Sequence, residues 1–236
     1  GWAKAKTSIL FGPCSTGSTG STVLVYDGPF DPSQRFKLLT KYRVTVFCAG
    51  ATELRQLIQQ DTRSHDLSQL RLTVSAGESV NPEIVNKWRA ITGGLLLDGY
   101  GQTETLMTIL NYPLKPGSMG RPLPGTDAAI LAQDRDIFLS SNQSGRLVIK
   151  WHNPQIMIGY WRDPELTAQS CINVDGEEWF ITGDTAYQDE DGYLFYQGRD
   201  DDLINSSGYR IGPMEVENVL MEHPAVTECA VIGSPD

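Results

Sequence analysis

The stretch Asp98-Gly99-Tyr100-Gly101-Gln102-Thr103-Glu104 brings an aromatic ring, a hydroxyl group, carboxylates and glycines together in consecutive positions. It follows Gly94-Leu95-Leu96-Leu97, a short apolar run that is typical of a strand buried on both faces. Open α/β sheets bind their ligands at the carboxyl ends of their strands. The sequence therefore predicts a tight turn at the ligand-binding edge of such a sheet.

The side chains of this stretch have the chemistry that a nucleotide requires. The Tyr100 ring offers a flat face to a base, and Gly99 and Gly101 let the backbone approach a ligand closely. Thr103 can donate a hydrogen bond to a phosphate, and Glu104 can bind Mg²⁺. A Gly-Tyr-Gly segment after a strand is also common in plain turns, so a turn without a ligand is the alternative.

Composition and charge limit the classes of partner. The chain has 236 residues, of which 40% are hydrophobic, enough for the core of one large domain or two small ones. The net charge of -10 argues against non-specific binding to nucleic acid or to an anionic membrane, because both need a basic surface. An acidic ligand would need cations supplied locally.

Cysteine usage and hydropathy indicate the cellular environment. The four cysteines are far apart and form no Cys-x-x-Cys pair, which indicates neither a zinc site nor a disulfide scaffold. A reducing compartment is expected, the cytoplasm or the mitochondrial matrix. No apolar run has the length of a transmembrane segment. The start, Gly1-Trp2-Ala3-Lys4, has neither a signal peptide nor an initiator Met, so the chain is expected to be part of something longer.

A Ser/Thr/Gly run near the start, Ser15-Thr16-Gly17-Ser18-Thr19-Gly20-Ser21-Thr22, is similar in composition to a phosphate-binding loop. Phosphate loops normally end in a lysine that reaches the phosphates, and no Lys or Arg occurs between this run and Arg35. The run is interpreted as a flexible turn.

Local signals predict alternating strands and helices in the first half. Apolar runs predict strands at residues 23–26, 44–48 and 72–76. Asp31-Pro32 and Asn81-Pro82 each supply a helix N-cap and a proline at the first helical position. Helical spacing predicts two core-facing surfaces, one of Leu54, Leu57 and Ile58 and one of Ile84, Val85, Trp88 and Ile91. The pattern predicts a parallel α/β subdomain.

A second polar turn, Gly77-Glu78-Ser79, follows the strand at 72–76. One helix separates this strand from the next, and right-handed crossover places both strand ends on the same rim of the sheet. A nucleotide could then bind between this turn and the central stretch.

After Leu110 the sequence changes to Pro, Gly and short β-rich runs, which predict a second, mainly β subdomain. Asp189-Glu190-Asp191-Gly192-Tyr193 predicts a hairpin turn, and Pro213 opens a helix with an apolar stripe. Residues 230–232 read as a further strand. The predicted organisation is an α/β subdomain at 1–115, a β-rich subdomain at 116–200 and an incomplete domain at 201–236.

Asp184 follows the run Trp179-Phe180-Ile181 and is expected at a strand terminus. A carboxylate there can accept hydrogen bonds from both hydroxyls of a ribose. A turn-capping aspartate is the alternative.

Taken in order, these pieces resemble the adenylate-forming superfamily of acyl-CoA synthetases, luciferases and peptide-synthetase adenylation domains. The matching segments are Gly77-Glu78-Ser79, Tyr100-Gly101-Gln102-Thr103-Glu104, Gly159-Tyr160 with Pro164-Glu165-Leu166-Thr167, Thr182-Gly183-Asp184, and Gly198-Arg199 through Glu215-Val216-Glu217. Within the superfamily, the closest similarity is to medium-chain acyl-CoA synthetases, through Gly1-Trp2-Ala3-Lys4, Gly117-Ser118-Met119-Gly120 and Ser206-Ser207-Gly208-Tyr209-Arg210-Ile211-Gly212-Pro213.

The resemblance implies a two-step ligase. A carboxylic acid attacks ATP to give an acyl-adenylate and pyrophosphate, and the thiol of coenzyme A then displaces AMP. ATP, Mg²⁺ and coenzyme A are the implied cofactor and substrates, no nucleic acid is expected as a partner, and the last domain is implied to be the start of a small α+β lid. An anionic acid must approach an anionic phosphate, so Mg²⁺ and arginines must neutralise charge locally.

The resemblance also implies roles for single residues. Implied adenine, AMP and ATP contacts are Gly77, Glu78, Ser79, Asp98, Gly99, Tyr100, Gly101 and Gln102. Thr103 is implied to contact the α-phosphate, Glu104 to bind Mg²⁺, and Asp184 and Arg199 to hold the ribose. The implied hinge is Asp201, and the implied coenzyme A loop is Ser207, Gly208, Tyr209 and Arg210. Thr103, Glu104 and Arg210 are the implied catalytic residues.

The chain departs from the family pattern at several positions. Ser79 replaces a usual proline, Arg146 stands where an acidic residue is common, and Asp200 occupies a position that is usually small or apolar. The family's Ser/Thr/Gly loop with its lysine should lie upstream of Gly1, and its catalytic lysine well beyond Asp236, so the isolated chain is expected to be inactive. The alternatives are a truncated product that binds nucleotide without turnover, and an adenylation domain that loads a carrier protein.

Overall fold

The computed structural model describes residues 22–77, 80–200, 202, 204–206, 209–221, 223, 225–226 and 229–234. The side chains of residues 205–206, 209–210, 214–215 and 218 lie outside that description. Predictions that fall outside the described residues concern Glu78, Ser79, Asp201, Ser207 and Gly208 and the run at 15–21. The described chain forms two compact units, one up to Gly99 and one from Tyr100.

The first unit alternates helices and parallel strands. Its elements are α1 (Pro32–Lys41), β1 (Val46–Cys48), α2 (Ala51–Leu57), β2 (Leu72–Ala76), α3 (Pro82–Thr92) and the start of β3 (Leu95–Gln102). β1 pairs in parallel with β2, and β2 pairs in parallel with β3, with Ala76 opposite Gly99. The predicted parallel α/β arrangement is confirmed.

The helices of this unit begin where the sequence signals place them. Asp31 caps α1 by accepting a hydrogen bond from the Gln34 backbone N–H at 2.8 Å. Asn81 caps α3 in the same way, through the Glu83 N–H at 2.8 Å. A proline follows each cap, at a position where its missing N–H costs no helical hydrogen bond. Both predicted helix starts are confirmed.

The core of the first unit is built around Trp88, which is completely buried. Its indole N–H donates to the Thr73 hydroxyl on β2 at 2.9 Å, which satisfies the one polar atom of the ring. Leu54 and Leu57, on the predicted apolar face of α2, are also fully buried in this core. Each such side chain contributes about 2 kcal/mol by leaving water.

The prediction of a strand at residues 23–26 is wrong. These residues have no strand structure, and 60% of Val25 is exposed. An apolar run becomes a strand only when a neighbouring strand accepts its hydrogen bonds, and the sequence pattern contains no information on that neighbour.

The central stretch also differs from its prediction as one tight turn. Asp98 to Gln102 continue β3, and the turn comprises only residues 103–105 before β4 (Leu106–Leu110). Gly101 is explained by packing, because a β-carbon there would collide with the Leu106 carbonyl oxygen. The glycine permits close approach of two backbones inside a hairpin.

The second unit is mainly β. Its further elements are β5 (Arg121–Pro122), β6 (Ala128–Leu131), β7 (Gly145–Lys150), α4 (Pro164–Gln169), β8 (Cys171–Val174), β9 (Glu177–Gln188), β10 (Leu194–Arg199), β11 (Ile204–Ser206), β12 (Tyr209–Ile211) and α5 (Pro213–Met221). One antiparallel sheet has the order β10-β9-β7-β6, with β8 also paired to β9, and β11 pairs with β12. This confirms the α/β class followed by a β-rich part.

Two local predictions in this unit are corrected and one is confirmed. Asp184 lies inside the long strand β9 rather than at its end, opposite Arg199 of β10. Residues 229–234 form no strand. The turn at 189–193 does join β9 to β10 as an antiparallel hairpin. The three predicted domain ranges stay predictions, and no helix within the described ranges has the length and hydropathy of a membrane span.

Candidate active site

A cavity of about 470 Å³ in the second unit contains several of the predicted site residues. Gln102, Thr103, Glu104 and Arg199 line it. Further lining residues that were not predicted as site residues are Tyr160, Gln169, Ser170, Phe180, Ile181, Thr182 and Gly183. The β3–β4 turn and strands β9 and β10 thus contribute to one polar cavity.

Asp184 is the most strongly hydrogen-bonded carboxylate of this region, and only 3% of the residue is exposed. Its Oδ2 atom accepts hydrogen bonds from the Tyr100 hydroxyl at 2.5 Å and from the Gln102 amide at 2.7 Å. Its Oδ1 atom accepts one from the Arg199 guanidinium at 3.2 Å. Neutral donors and a cation therefore hold the carboxylate in a fixed orientation.

The charges of this cluster are shifted by burial. Burial raises the pKa of the Asp184 carboxyl above its ordinary value, while the Tyr100 hydrogen bond, the Arg199 charge and the Gln102 hydrogen bond act in the opposite direction. Burial, and then the neighbouring Asp184 charge, raise the pKa of Tyr100 well above its ordinary value. The phenol therefore keeps its proton and remains a donor.

Gln102 connects the central stretch to β9. Its amide nitrogen donates to the Thr182 carbonyl at 2.8 Å as well as to Asp184. Sequence reasoning gave Gln102 only as an implied nucleotide contact. In the structure Gln102 cross-links β3 to β9 and holds the Asp184 carboxylate in position.

Glu104 lies in the β3–β4 turn and has a partner that sequence reasoning missed. The Tyr160 hydroxyl donates to Glu104 Oε1 at 3.1 Å, and the Met157 N–H donates to the Glu104 carbonyl at 2.7 Å. Burial, and then the Glu104 charge, raise the pKa of Tyr160. Gly159-Tyr160 was a matching motif, but nothing in the local sequence pointed to a residue 56 positions away.

The side chains around Glu104 fit a magnesium ion that is coordinated mainly by the phosphates of a bound nucleotide. Within the described ranges, no three His, Cys, Asp or Glu residues come together as a metal cage. Glu104 is a single carboxylate residue on a cavity that Thr103 and Ser170 also line. Mg²⁺ commonly takes one or two protein carboxylates and completes its octahedron with water and substrate phosphates.

The first unit has its own buried carboxyl group, Asp98, which lies opposite Ser75 in the pairing of β3 with β2. Its Oδ2 atom accepts a hydrogen bond from the Val80 N–H at 3.3 Å. Burial raises the pKa of Asp98 to about 7, against the backbone hydrogen bonds from Val80 and Gly99, which lower it. Gly77, the first residue after β2, has a φ of +91°, a conformation that favours glycine.

The remaining predicted site residues are described only in part. Tyr209 and Arg210 belong to β12, which pairs with β11, and their side chains lie outside the described part of the chain. The predicted roles of Asp201 and of Ser207 and Gly208 stay predictions.

Comparison with known proteins establishes the family. The family model for AMP-binding enzymes matches residues 7–161, and the model for the AMP-binding enzyme C-terminal domain matches residues 215–236. The first match covers more than half of the chain, so the chain belongs to the AMP-binding enzyme family. The resemblance inferred from the motifs is confirmed.

Individual relatives agree with this assignment. Acyl-coenzyme A synthetase ACSM3, mitochondrial, of Rattus norvegicus is 40% identical over 243 residues, and the chain spans 40% of its length. The crystal structure of the anthranilate CoA ligase AuaEII in complex with anthranoyl-AMP superposes with a TM-score of 0.83 at 32% identity, covering 92% of this chain and 41% of that one. The O-succinylbenzoate coenzyme A synthetase MenE of Bacillus subtilis, in complex with ATP and magnesium, gives 0.79 at 28% identity, covering 94% and 46%.

Proposed function

We propose that this chain contributes the nucleotide site of an acid–thiol ligase that converts a carboxylic acid, ATP and coenzyme A into acyl-CoA, AMP and pyrophosphate. The single observation that carries the proposal is the Asp184 hydrogen-bond cluster, of which two members, Gln102 and Arg199, line the cavity. A buried carboxylate with three fitted donors beside an open polar cavity is suited to bind hydroxyl groups of a ligand. Membership of the AMP-binding enzyme family and similarity to acyl-coenzyme A synthetases support this reaction class.

The proposed roles follow the charges of the ligand. Asp184 and Arg199 hold the ribose, Tyr100 lies against adenine, Thr103 donates to the α-phosphate, and Glu104 binds Mg²⁺. When bound, Mg²⁺ supplies positive charge that offsets the repulsion between the acid and the triphosphate. Glu104 orients the ion with one carboxylate. Adenine contacts by Gly77, Glu78, Ser79, Asp98 and Gly99, with Gly101 as a close backbone approach, stay part of the proposal.

The hydrogen bonds already made by Asp184 limit what the ribose can gain. A carboxylate has about four lone-pair positions. Tyr100 and Gln102 use both positions on Oδ2, and Arg199 uses one on Oδ1. One further hydroxyl can therefore bind to Oδ1 without displacing a donor. We therefore expect Asp184 to accept one hydrogen bond from the ribose instead of two. The second ribose hydroxyl would accept a hydrogen bond from Arg199.

The acid is proposed to be a medium-chain fatty acid. Support comes from the segments Gly117-Ser118-Met119-Gly120 and 206–213 and from the similarity to the rat acyl-coenzyme A synthetase. The two solved relatives carry the names of ligases for anthranilate and O-succinylbenzoate, so aromatic acids are the contrasting class. Coenzyme A contacts by Ser207, Gly208, Tyr209 and Arg210, catalysis by Arg210, and a hinge at Asp201 belong to the same proposal.

The nucleotide part is tested by equilibrium binding of AMP to the purified chain. Asp184→Ala should weaken AMP binding by about tenfold, which corresponds to one hydrogen bond to a charged group. Asp134→Ala is the matched control, because the Asp134 side chain is 79% exposed and pairs with Arg135 on the surface. Equal AMP affinities of wild type and Asp184→Ala would refute the ribose role.

The acid class is tested by ATP–pyrophosphate exchange in the whole protein that contains this chain. Hexanoate and octanoate should support faster exchange than acetate, benzoate or anthranilate. Faster exchange with an aromatic acid would retain the ligase class and reject the medium-chain assignment.

A further inference from the structure

Tyr160 lies between two cavities of the second unit. It lines the cavity of about 470 Å³ that contains Thr103 and Glu104, and it also lines a second cavity of about 500 Å³ beside Arg162 and Thr167. Its hydroxyl donates to Glu104 Oε1 at 3.1 Å. The side chain therefore reaches the proposed metal ligand from a different part of the chain.

Tyr160 has a firm support of its own. Its backbone N–H donates to the Thr167 hydroxyl at 2.9 Å, and that hydroxyl donates to the Asp163 carbonyl at 2.8 Å. Gly159 packs against Thr167, with a φ of +147°, where a β-carbon would lie 3.1 Å from the Thr167 side chain. The first turn of α4 thus fixes the backbone from which the Tyr160 ring projects.

Glu104 needs such a support because it lies in a turn. Residues 103–105 form no strand, and a glutamate side chain has three rotatable bonds. The segment ending at Tyr160 contacts both its backbone, through the Met157 N–H, and its carboxylate. Within the described part of the chain, Oε2 receives no protein hydrogen bond, so that atom is available to a cation.

We propose that Tyr160 is a positioning residue that holds Glu104 Oε1, so that Oε2 faces the Mg²⁺ bound with ATP. This inference rests on the proposed function. Partners that orient a metal ligand are worth about 10-fold to 100-fold in metal affinity or activity, because without them the ligand must be ordered by the metal itself. The competing explanation is that the phenol only anchors the loop before α4.

The test is the Mg²⁺ dependence of nucleotide binding by the purified chain. Calorimetry with α,β-methylene-ATP, which cannot transfer its α-phosphate, gives the Mg²⁺ concentration at half-maximal enhancement. Tyr160→Phe should raise that concentration about tenfold. Affinity for AMP without metal should stay unchanged. Tyr112→Phe is the matched control, because Tyr112 is 63% exposed.

A double-mutant cycle separates positioning from general damage. Glu104→Gln should remove the Mg²⁺ enhancement, and adding Tyr160→Phe to Glu104→Gln should change nothing further. An unchanged Mg²⁺ dependence in Tyr160→Phe, or a parallel loss of AMP affinity, would overturn the positioning role. Wild-type protein that binds AMP without any Mg²⁺ enhancement of the ATP analogue would also overturn it, while leaving the ribose site intact. Wild-type protein that binds no nucleotide would instead overturn the proposed function.

Discussion

The Asp98 carboxyl group in the first unit and the Asp184 carboxyl group in the second are both buried, with 8% and 3% of each residue exposed, yet their partners differ. Asp98 takes its hydrogen bonds from the backbone N–H groups of Val80 and Gly99. Asp184 takes its hydrogen bonds from three side chains, one of them the Arg199 guanidinium. One carboxyl group is held by the main chain, and the other by replaceable side chains.

The difference in hydrogen-bond partners affects the pKa of each carboxyl group. Two neutral backbone donors do not offset burial at Asp98, whose pKa is raised to about 7. Three donors, one of them the Arg199 cation, oppose the same effect at Asp184. A ligand hydroxyl is bound best by an ionised carboxylate, and the ionised form is favoured by three side-chain donors at Asp184 and by two backbone donors at Asp98.

The largest expected effect comes from Asp98→Asn, which removes the titration. The folded-state pKa is raised from 3.8 to about 7, so between these values the unfolded chain loses the proton and the folded chain keeps it. Wild-type stability from this group therefore falls as pH rises from about 4 to 7, by roughly 4 kcal/mol at most. Asp98→Asn should gain stability relative to wild type over that window.

The measurement is urea unfolding of both proteins at several pH values. Below pH 4 the protonated acid and the amide are similar, so the difference in unfolding free energy there reports only packing. Asp134→Asn, at an exposed side chain, is the control. A difference between variant and wild type that stays flat with pH would show that the Asp98 pKa is not raised in the folded chain.

A smaller effect is expected from Gln102→Met, which retains the side-chain length and removes the amide. Asp184 Oδ2 and the Thr182 carbonyl each lose a donor. We expect a loss of roughly 2 kcal/mol in unfolding free energy, a further rise in the Asp184 pKa and weaker AMP binding. Urea unfolding and AMP titration measure these quantities. Gln143→Met, at an exposed position, should change neither the unfolding free energy nor AMP binding. If Gln102→Met also left both unchanged, Gln102 would not act as a cross-link.

Sequence reasoning predicted the elements whose signals are local. Asp31-Pro32 and Asn81-Pro82 contain a cap and a preset φ within two residues, and both helices begin there. The run at 23–26 failed because strand formation depends on a partner that the run does not encode. The central stretch was interpreted as a turn because it contains glycines. Gly101 is instead required where β4 packs closely beside β3, and this contact is visible only in the folded structure.

The candidate site shows the same division. Motif resemblance indicated Tyr100, Asp184 and Arg199 as site residues, but not that Asp184 accepts hydrogen bonds from both Tyr100, 84 residues away, and Arg199 on the neighbouring strand. Tyr160 received no role, because a hydrogen bond between a loop and a distant turn leaves no periodic or compositional signal. The chemistry of a residue could be predicted from its type, whereas its partners required the fold.

The smallest expected effect comes from Arg199→Gln, and it tests whether the cation or the neutral donors set the state of Asp184. The Arg199 side chain is 47% exposed, so solvent screens its attraction to Asp184, and the loss in unfolding free energy should be below about 1 kcal/mol. The Arg199 charge lowers the Asp184 pKa, so its removal should raise that pKa. The stability loss should then be smallest at low pH, where the Asp184 carboxyl is protonated in both proteins, and grow as pH rises and the carboxyl ionises. Carboxyl ¹³C titration by NMR measures the shift, with the Asp98 resonance as an internal reference that should not move. An unchanged Asp184 titration would mean that Tyr100 and Gln102 alone oppose the effect of burial on the Asp184 pKa. Asp184 and Asp98 would then differ only in having side-chain donors or backbone donors, and charge would not contribute.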